Sequence, residues 1–178
     1  MLPIELKTTE WVEKHIKPDM KIFEYGSGSS TAYFASKVSQ VVSVECYPER
    51  YNKNQNMINS SVHYKLIEPI KDSKPFPYSH ESYGSVDDEF AHFSFENYVN
   101  YIKEYSDRFF DIILINGRAR ASCIRAAVPK TKLGGYIILN DSERYVYQNA
   151  IELFLKEYPH QEFGEGVRKT GIWEIKQL

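Results

Sequence analysis

Cysteine is scarce: Cys46 and Cys123 are the only two in 178 residues. Two thiols far apart in the chain make neither a disulfide framework nor a CxxC redox pair nor a zinc knuckle, and a cytoplasmic setting is expected. Long apolar runs are missing too. The longest, such as Ile112–Ile115 and Tyr136–Leu139, fall far short of the roughly 20 residues a membrane span needs. The opening Met1-Leu2-Pro3-Ile4-Glu5 lacks a basic start with an apolar run behind it, so no secretory signal is expected. No excess of one charge exists either, with 22 Lys and Arg against 24 Asp and Glu and a net charge of −2. Nothing global would hold a nucleic acid backbone, so neither a nucleic acid nor a membrane partner is expected.

What the chain does have is apolar and aromatic content, 42% and 15%, which separates it from disordered sequences. Its length suits one domain over 1–178. Short β-rich runs alternate with helical periodicity, the pattern of parallel α/β construction. Thr8 or Thr9 is expected to cap a first helix that Pro18 ends. Strands are expected at Lys21–Tyr25, Gln40–Glu45, Val62–Ile67, Phe110–Ile115 and Tyr136–Asn140, the last after a turn at Gly134–Gly135. Pro48 suits a helix start, and Ala119–Val128 and a stretch through Tyr147 and Tyr158 read as helices. His160–Phe163 and Gly171–Lys176 read as a closing antiparallel hairpin.

Residues 69–93 interrupt this rhythm. They hold three prolines, yet also Phe76, Tyr78, Tyr83, Phe90 and Phe93. The stretch is too long for an ordinary connection and too aromatic for a loose linker, so it reads as an ordered insertion. From Glu68 to Glu96 inclusive there are seven acidic residues and two lysines, a local charge of −5. Ser94 is expected to cap the next helix, in which Phe95, Tyr98, Val99 and Ile102 share a face.

The informative segment is Glu24-Tyr25-Gly26-Ser27-Gly28-Ser29-Ser30-Thr31, where the first strand turns into a helix. Its glycines let the backbone turn sharply and approach a ligand. Glu45 closes the second strand, where a carboxylate accepts the hydroxyls of a ribose. Thr31 stands where a dinucleotide fingerprint has its third glycine, and Glu24 would repel a diphosphate but attract an ammonium group. Glu24, Gly26, Gly28 and Glu45 together resemble the first motif and acidic second-strand end of the class I S-adenosylmethionine-dependent methyltransferases. The resemblance implies a Rossmann-like open, mostly parallel sheet of about seven strands with helices on both faces. It implies S-adenosylmethionine as cofactor, held by Glu24, Tyr25, Gly26, Ser27, Gly28, Ser30, Thr31, Glu45, Cys46 and Asn116. Relatives that use a divalent cation carry Asp where this chain has Asn116, and Asn140-Asp141 offers only one carboxylate, so no metal is expected.

Substrate handling is expected at the same strand edge. Asn116 and Asp141 are the candidate catalytic residues, Asp141 as a base or an orienting group. Arg118 and Arg144 are candidates for binding an acceptor anion. Five basic residues and no acidic one lie between Asp111 and Asp141, and Arg118 and Arg120 sit where a helix dipole disfavours cations. Either an anion offsets them, or they are solvated or pair with the acidic insertion. Asp141 or Ser142 equally reads as a helix cap. The resulting expectation is methyl transfer to a small molecule, an anionic one if the arginines bind it. A non-catalytic S-adenosylmethionine- or nucleotide-binding module and an NAD-dependent oxidoreductase are the alternatives.

Overall fold

The computed structural model describes residues 6–56, 58–164 and 167–178. Helix α1 (Leu6–His15) leads into β1 (Lys21–Tyr25), α2 (Ser29–Ala35), β2 (Gln40–Glu45), α3 (Pro48–Gln55) and β3 (Val62–Leu66). The segment that follows carries β4 (Ile70–Lys71) and β5 (Phe93–Ser94), paired antiparallel as a small separate sheet. Then come α4 (Glu96–Asn100), β6 (Phe110–Ile115), α5 (Arg120–Ala127), β7 (Thr131–Asn140), α6 (Tyr145–Phe154), β8 (His160–Phe163) and β9 (Thr170–Glu174). The main sheet has the order β3-β2-β1-β6-β7-β9-β8. Pairings from β3 through β7 are parallel, and β9 and β8 close one edge antiparallel.

Strands covered on both faces are apolar at nearly every position, and β6 is fully buried over Ile112–Ile115. Side chains alternate across the sheet. Ile22, Val41, Ile112, Leu114 and Ile138 pack with Trp11 and Val12 of α1 and Phe34 of α2. Phe23, Tyr25, Val42, Ile113, Ile115 and Leu139 pack on the other face with residues of α4, α5 and α6. The strand order reverses between β1, which continues outward to β2, and β6, which continues outward to β7 on the other side. A ligand crevice in such a sheet opens beyond the carboxyl ends of its strands at this switch point. Among the described residues no helix is long and apolar enough to cross a membrane.

Several local expectations shift. Thr8 and Thr9 are buried inside α1 and do not cap it. Ser94 is the last residue of β5 and Phe95 is the N-cap of α4, although Ser94 Oγ still accepts the Glu96 N–H at 3.3 Å. Gly134 and Gly135 do not precede a strand but lie within β7, where the register against β6 slips between Phe110 and Ile112. The slip is a bulge, which glycine accommodates without side-chain cost. Neither Asp141 nor Ser142 caps α6, whose N-cap is Arg144.

The 69–93 segment is tied down on two sides. Phe76 N donates to Ala91 O at 2.7 Å and Phe95 N to Tyr83 O at 2.9 Å. Ser122 Oγ of α5 donates to Ser79 O at 3.2 Å, and Arg125 donates to Tyr83 Oη at 3.0 Å. Tyr83, Val86, Phe90 and Phe93 pack against the α4–α6 side of the core.

Candidate active site

The turn after β1 and the turn after β6 are built against each other. Gly26, at φ +88°, has no room for a side chain, since a Cβ there would stand 2.7 Å from Gly117 Cα. A Cβ on Gly117 would in turn overlap the hydroxyl of Tyr98 and approach Gly26 N to 3.0 Å. Gly26 N donates to Val44 O at 2.9 Å and Asn116 N to Tyr25 O at 3.0 Å. Two backbones therefore meet at the switch point with nothing between them.

Glu24 does not reach the crevice. It shares the sheet face of Ile22, beneath α2, and is fully buried. Its oxygens accept the hydroxyls of Ser30 and Thr31 from the first turn of α2 and of Ser43 from β2, the last at 2.7 Å. Burial raises its pKa from 4.5 to about 7; the three hydroxyl donors lower it, and the charge of Glu45 adds to the rise. The direct contact with an ammonium group expected from sequence is thus corrected: Glu24 staples the Gly/Ser turn to the sheet. The side chains of Ser30 and Thr31 are buried with it and turn to Glu24. The Tyr25 side chain enters the core and donates to Val99 O at 2.7 Å, which leaves its backbone at the turn.

Glu45 stands at the strand edge as expected, with both oxygens engaged. Oε1 accepts from the backbone of Cys46 at 2.8 Å and of Tyr47 at 3.0 Å. Oε2 accepts from Ser27 Oγ at 2.8 Å and Ser27 N at 3.2 Å, with Arg50 at 3.9 Å. Ser27 Oγ in turn meets Asn54 at 3.0 Å and Tyr64 Oη at 2.6 Å. Cys46 is buried beside Glu45, and burial pushes its thiol pKa far up.

Glu45, Cys46, Asn116, Arg118 and Asp141 line one polar cavity of about 280 Å³ at the carboxyl edge, together with Tyr47, Arg50, Gly117, Arg120, Asn140 and Arg168. Asn140 Nδ2 donates to Asn116 Oδ1 at 2.9 Å. Arg120 donates to Asn140 O at 2.6 Å and pairs with Asp141 at 3.0 Å. Asp141 and Ala119, both at this edge, hold left-handed backbones with φ 52° and 49°, strain of the kind that collects at working sites. Arg118 is paired with Asp87 of the 69–93 segment, so the pairing alternative stated above is the one found. Arg144 lies on the wall of an adjoining cavity with Arg118 and Arg120. Among the described residues no group of three His, Cys, Asp or Glu is placed to hold a metal ion.

Sequence reasoning missed Tyr47, Arg50, Gly117 and Arg168. Tyr47 and Arg50 stand two and five residues past Glu45, the second in α3, and were findable from their closeness to the strand end. Gly117 and Arg168 carry no local signal, since contact with Gly26 and the return of the β8–β9 hairpin bring them in.

No family model and no curated protein matches the chain. Solved structures do. An rRNA methylase from Streptococcus thermophilus is 11% identical with a TM-score of 0.61, over 99% of each chain. A precorrin-6y C5,15-methyltransferase from Geobacter metallireducens is 13% identical with a TM-score of 0.61, over 98% of this chain and 90% of that one. A Streptococcus mutans protein proposed to be a methyltransferase, in complex with SAH, is 8% identical with a TM-score of 0.62, over 97% and 98%. The chain has the Rossmann-like fold of the class I methyltransferases, with seven strands and the reversed β9 inserted between β7 and the edge strand β8.

Proposed function

We propose that this chain is an S-adenosylmethionine-dependent methyltransferase whose acceptor is a small molecule with an anionic group. The observation that carries the reading is Glu45, a residue of the edge cavity whose carboxylate closes β2 and is buried there behind the Ser27 hydroxyl. A carboxylate in that place suits the hydroxyls of a ribose. The residues fit the cofactor with one exchange. Glu45 Oε2 now accepts the Ser27 hydroxyl, and a ribose hydroxyl is the same kind of donor, so it takes that position without leaving the carboxylate unsatisfied. Cys46 and Tyr47 would flank the base. The Gly26–Ser30 turn, supported from within by Glu24, would follow the methionine portion by its backbone. The Asn116 amide donors would face the same crevice.

The cofactor, when bound, supplies a methyl group already activated on a sulfonium. The chain's own task is to align the acceptor, which is worth up to about 7–11 kcal/mol. Arg118 and Arg144 supply the charge for an acceptor anion, and Asp141 is the carboxylate at the edge that orients or deprotonates the acceptor. The SAH complex of a structural neighbour supports the donor. Neighbours named for rRNA and for precorrin show that this fold serves unlike acceptors, so the acceptor reading rests on the arginines alone. Calorimetry tests the donor: S-adenosylhomocysteine is expected to bind and NAD is not, and the reverse result makes the protein an oxidoreductase candidate. One observation favours a binding module without catalysis, namely that Asp141 is tied to Arg120 and Asn116 to Asn140. Cofactor binding with no labelled methyl reaching any metabolite of a cell extract would decide for that module.

A further inference from the structure

Two cavities meet at Arg118. One is the edge cavity with Glu45 in its wall. The other lies beneath the 69–93 segment, between Ser85–Asp87 above and Arg118, Arg120 and Arg144 below. Its free space is about 20 Å³, room for about one water and for no substrate. Arg118 is held in place before any ligand arrives. Its Nε donates to Tyr47 Oη at 2.7 Å, and its guanidinium lies 5.3 Å from the Tyr47 ring and 5.4 Å from the Phe90 ring. Nη1 donates to Asp87 Oδ2. Asp87 is 34% exposed, and its one other side-chain partner among the described residues is Ser85 Oγ, at 3.3 Å. Arg144 has the Tyr147 ring at 5.6 Å and, among the described residues, no acid. Arg120 is answered by Asp141. The closed chamber thus contains two guanidinium groups that face no acid from the sheet, one of them met by a carboxylate from the segment above.

We propose that Asp87 occupies the place of the acceptor's carboxylate on Arg118, and that the 69–93 segment is a lid which a carboxylate-bearing acceptor displaces. The identity of the ligand as an acceptor rests on the methyl-transfer reading; the anion site stands on the geometry above. Asp87 uses one donor of a fork that offers more. With Nε committed to Tyr47, the Nη1–Nη2 edge remains, and it matches the two oxygens of a planar carboxylate. An anion seated there repels the acidic lid, whose residues 69–93 carry a net charge of −3, and gains Arg144 as a second cation. Asp87 therefore sets specificity: it admits only ligands that outcompete a tethered carboxylate.

The test titrates wild type and Asp87→Asn with malonate, phosphate and sulfate at ionic strength fixed with sodium chloride. Calorimetry and hydrogen exchange over residues 76–93 are the readouts. Asp87→Asn should exchange faster in that segment without added anion and bind malonate at least about tenfold tighter than wild type, because the closed state no longer taxes binding. Adding Arg118→Gln to Asp87→Asn should remove malonate binding. Equal affinities, no binding by either protein, or binding that survives Arg118→Gln overturns the proposal, and tighter binding of phosphate or sulfate than of malonate overturns the carboxylate assignment. S-adenosylhomocysteine is titrated in parallel. Its failure to bind sinks the methyl-transfer reading, while the anion titration still judges the lid.

Discussion

Glu24 is a carboxylate that the fold has taken out of water and answered with hydroxyls, not with a cation. Its raised pKa has a definite sign for stability. Between the unfolded value of 4.5 and the folded value of about 7, the native state binds the proton that the unfolded chain has released. Stability therefore falls as pH rises through that window, by at most about 3 kcal/mol in total. Glu24→Gln keeps a hydrogen-bonding group of the same shape and has no such proton. Denaturant unfolding from pH 4.5 to 8 should show a downward slope for wild type that is absent from the variant; parallel slopes would refute the assignment. The acidic residue two places before Gly26 was legible in the sequence, but its direction was not. Both faces of a buried strand are apolar, so alternation alone does not say whether Ile22 and Glu24 or Phe23 and Tyr25 face the crevice. Helix α2 settles it, through Ser30 and Thr31.

At the scale of elements, the inner strands β1, β2 and β6 fall on the bounds read from their runs of residues, and so does the exposed edge strand β8. A strand that pairs on both sides needs Val, Ile, Phe or Tyr at consecutive positions, and the turn residues beside it mark where that need ends. The early start of β7 was not readable, because the bulge that admits Gly134 and Gly135 answers to β6 and not to its own sequence. The meeting of the β1 and β6 turns is likewise invisible until both are placed. It carries a prediction. In Gly117→Ala the new methyl overlaps the Tyr98 hydroxyl, and Tyr98 is fully buried and cannot swing away. Overpacking of this kind costs about 1–3 kcal/mol, which in a chain of this size lowers Tm by about 2–4 °C for each kcal/mol. The Tyr98 hydroxyl has no hydrogen-bond partner among the described residues, so Tyr98→Phe alone should leave Tm unchanged or raise it. Tyr98→Phe should also recover most of the loss in Gly117→Ala. A double variant no more stable than Gly117→Ala would show that the strain lies against Gly26.

For the molecule as a whole, the sheet order divides the work of the edge between its two halves. Strands β2 and β1 bring Glu45 and the Gly/Ser turn to one side of the switch point, and β6 and β7 bring Arg118, Arg120, Asp141 and Arg144 to the other. The donor reading uses the first half and the acceptor reading the second, with Arg118 on the boundary. Residues that share no partner act additively, and neither Glu45 nor Arg144 hydrogen-bonds to a partner of the other. Glu45→Gln replaces a charged acceptor by a neutral one, a change worth about 1.5–3 kcal/mol for a charge-assisted hydrogen bond. That is roughly a 10- to 150-fold loss of affinity for S-adenosylhomocysteine. It should leave the malonate affinity of Asp87→Asn where it was. Arg144→Gln should do the converse, weakening malonate and sparing S-adenosylhomocysteine. Calorimetry on the two variants, each with both ligands, gives four affinities. If Glu45→Gln weakens both ligands alike, they compete for one cavity, and the division of the edge into a donor half and an acceptor half is wrong. If each variant weakens only its own ligand, methyl donor and acceptor arrive from opposite sides of the β1–β6 switch and meet at Arg118.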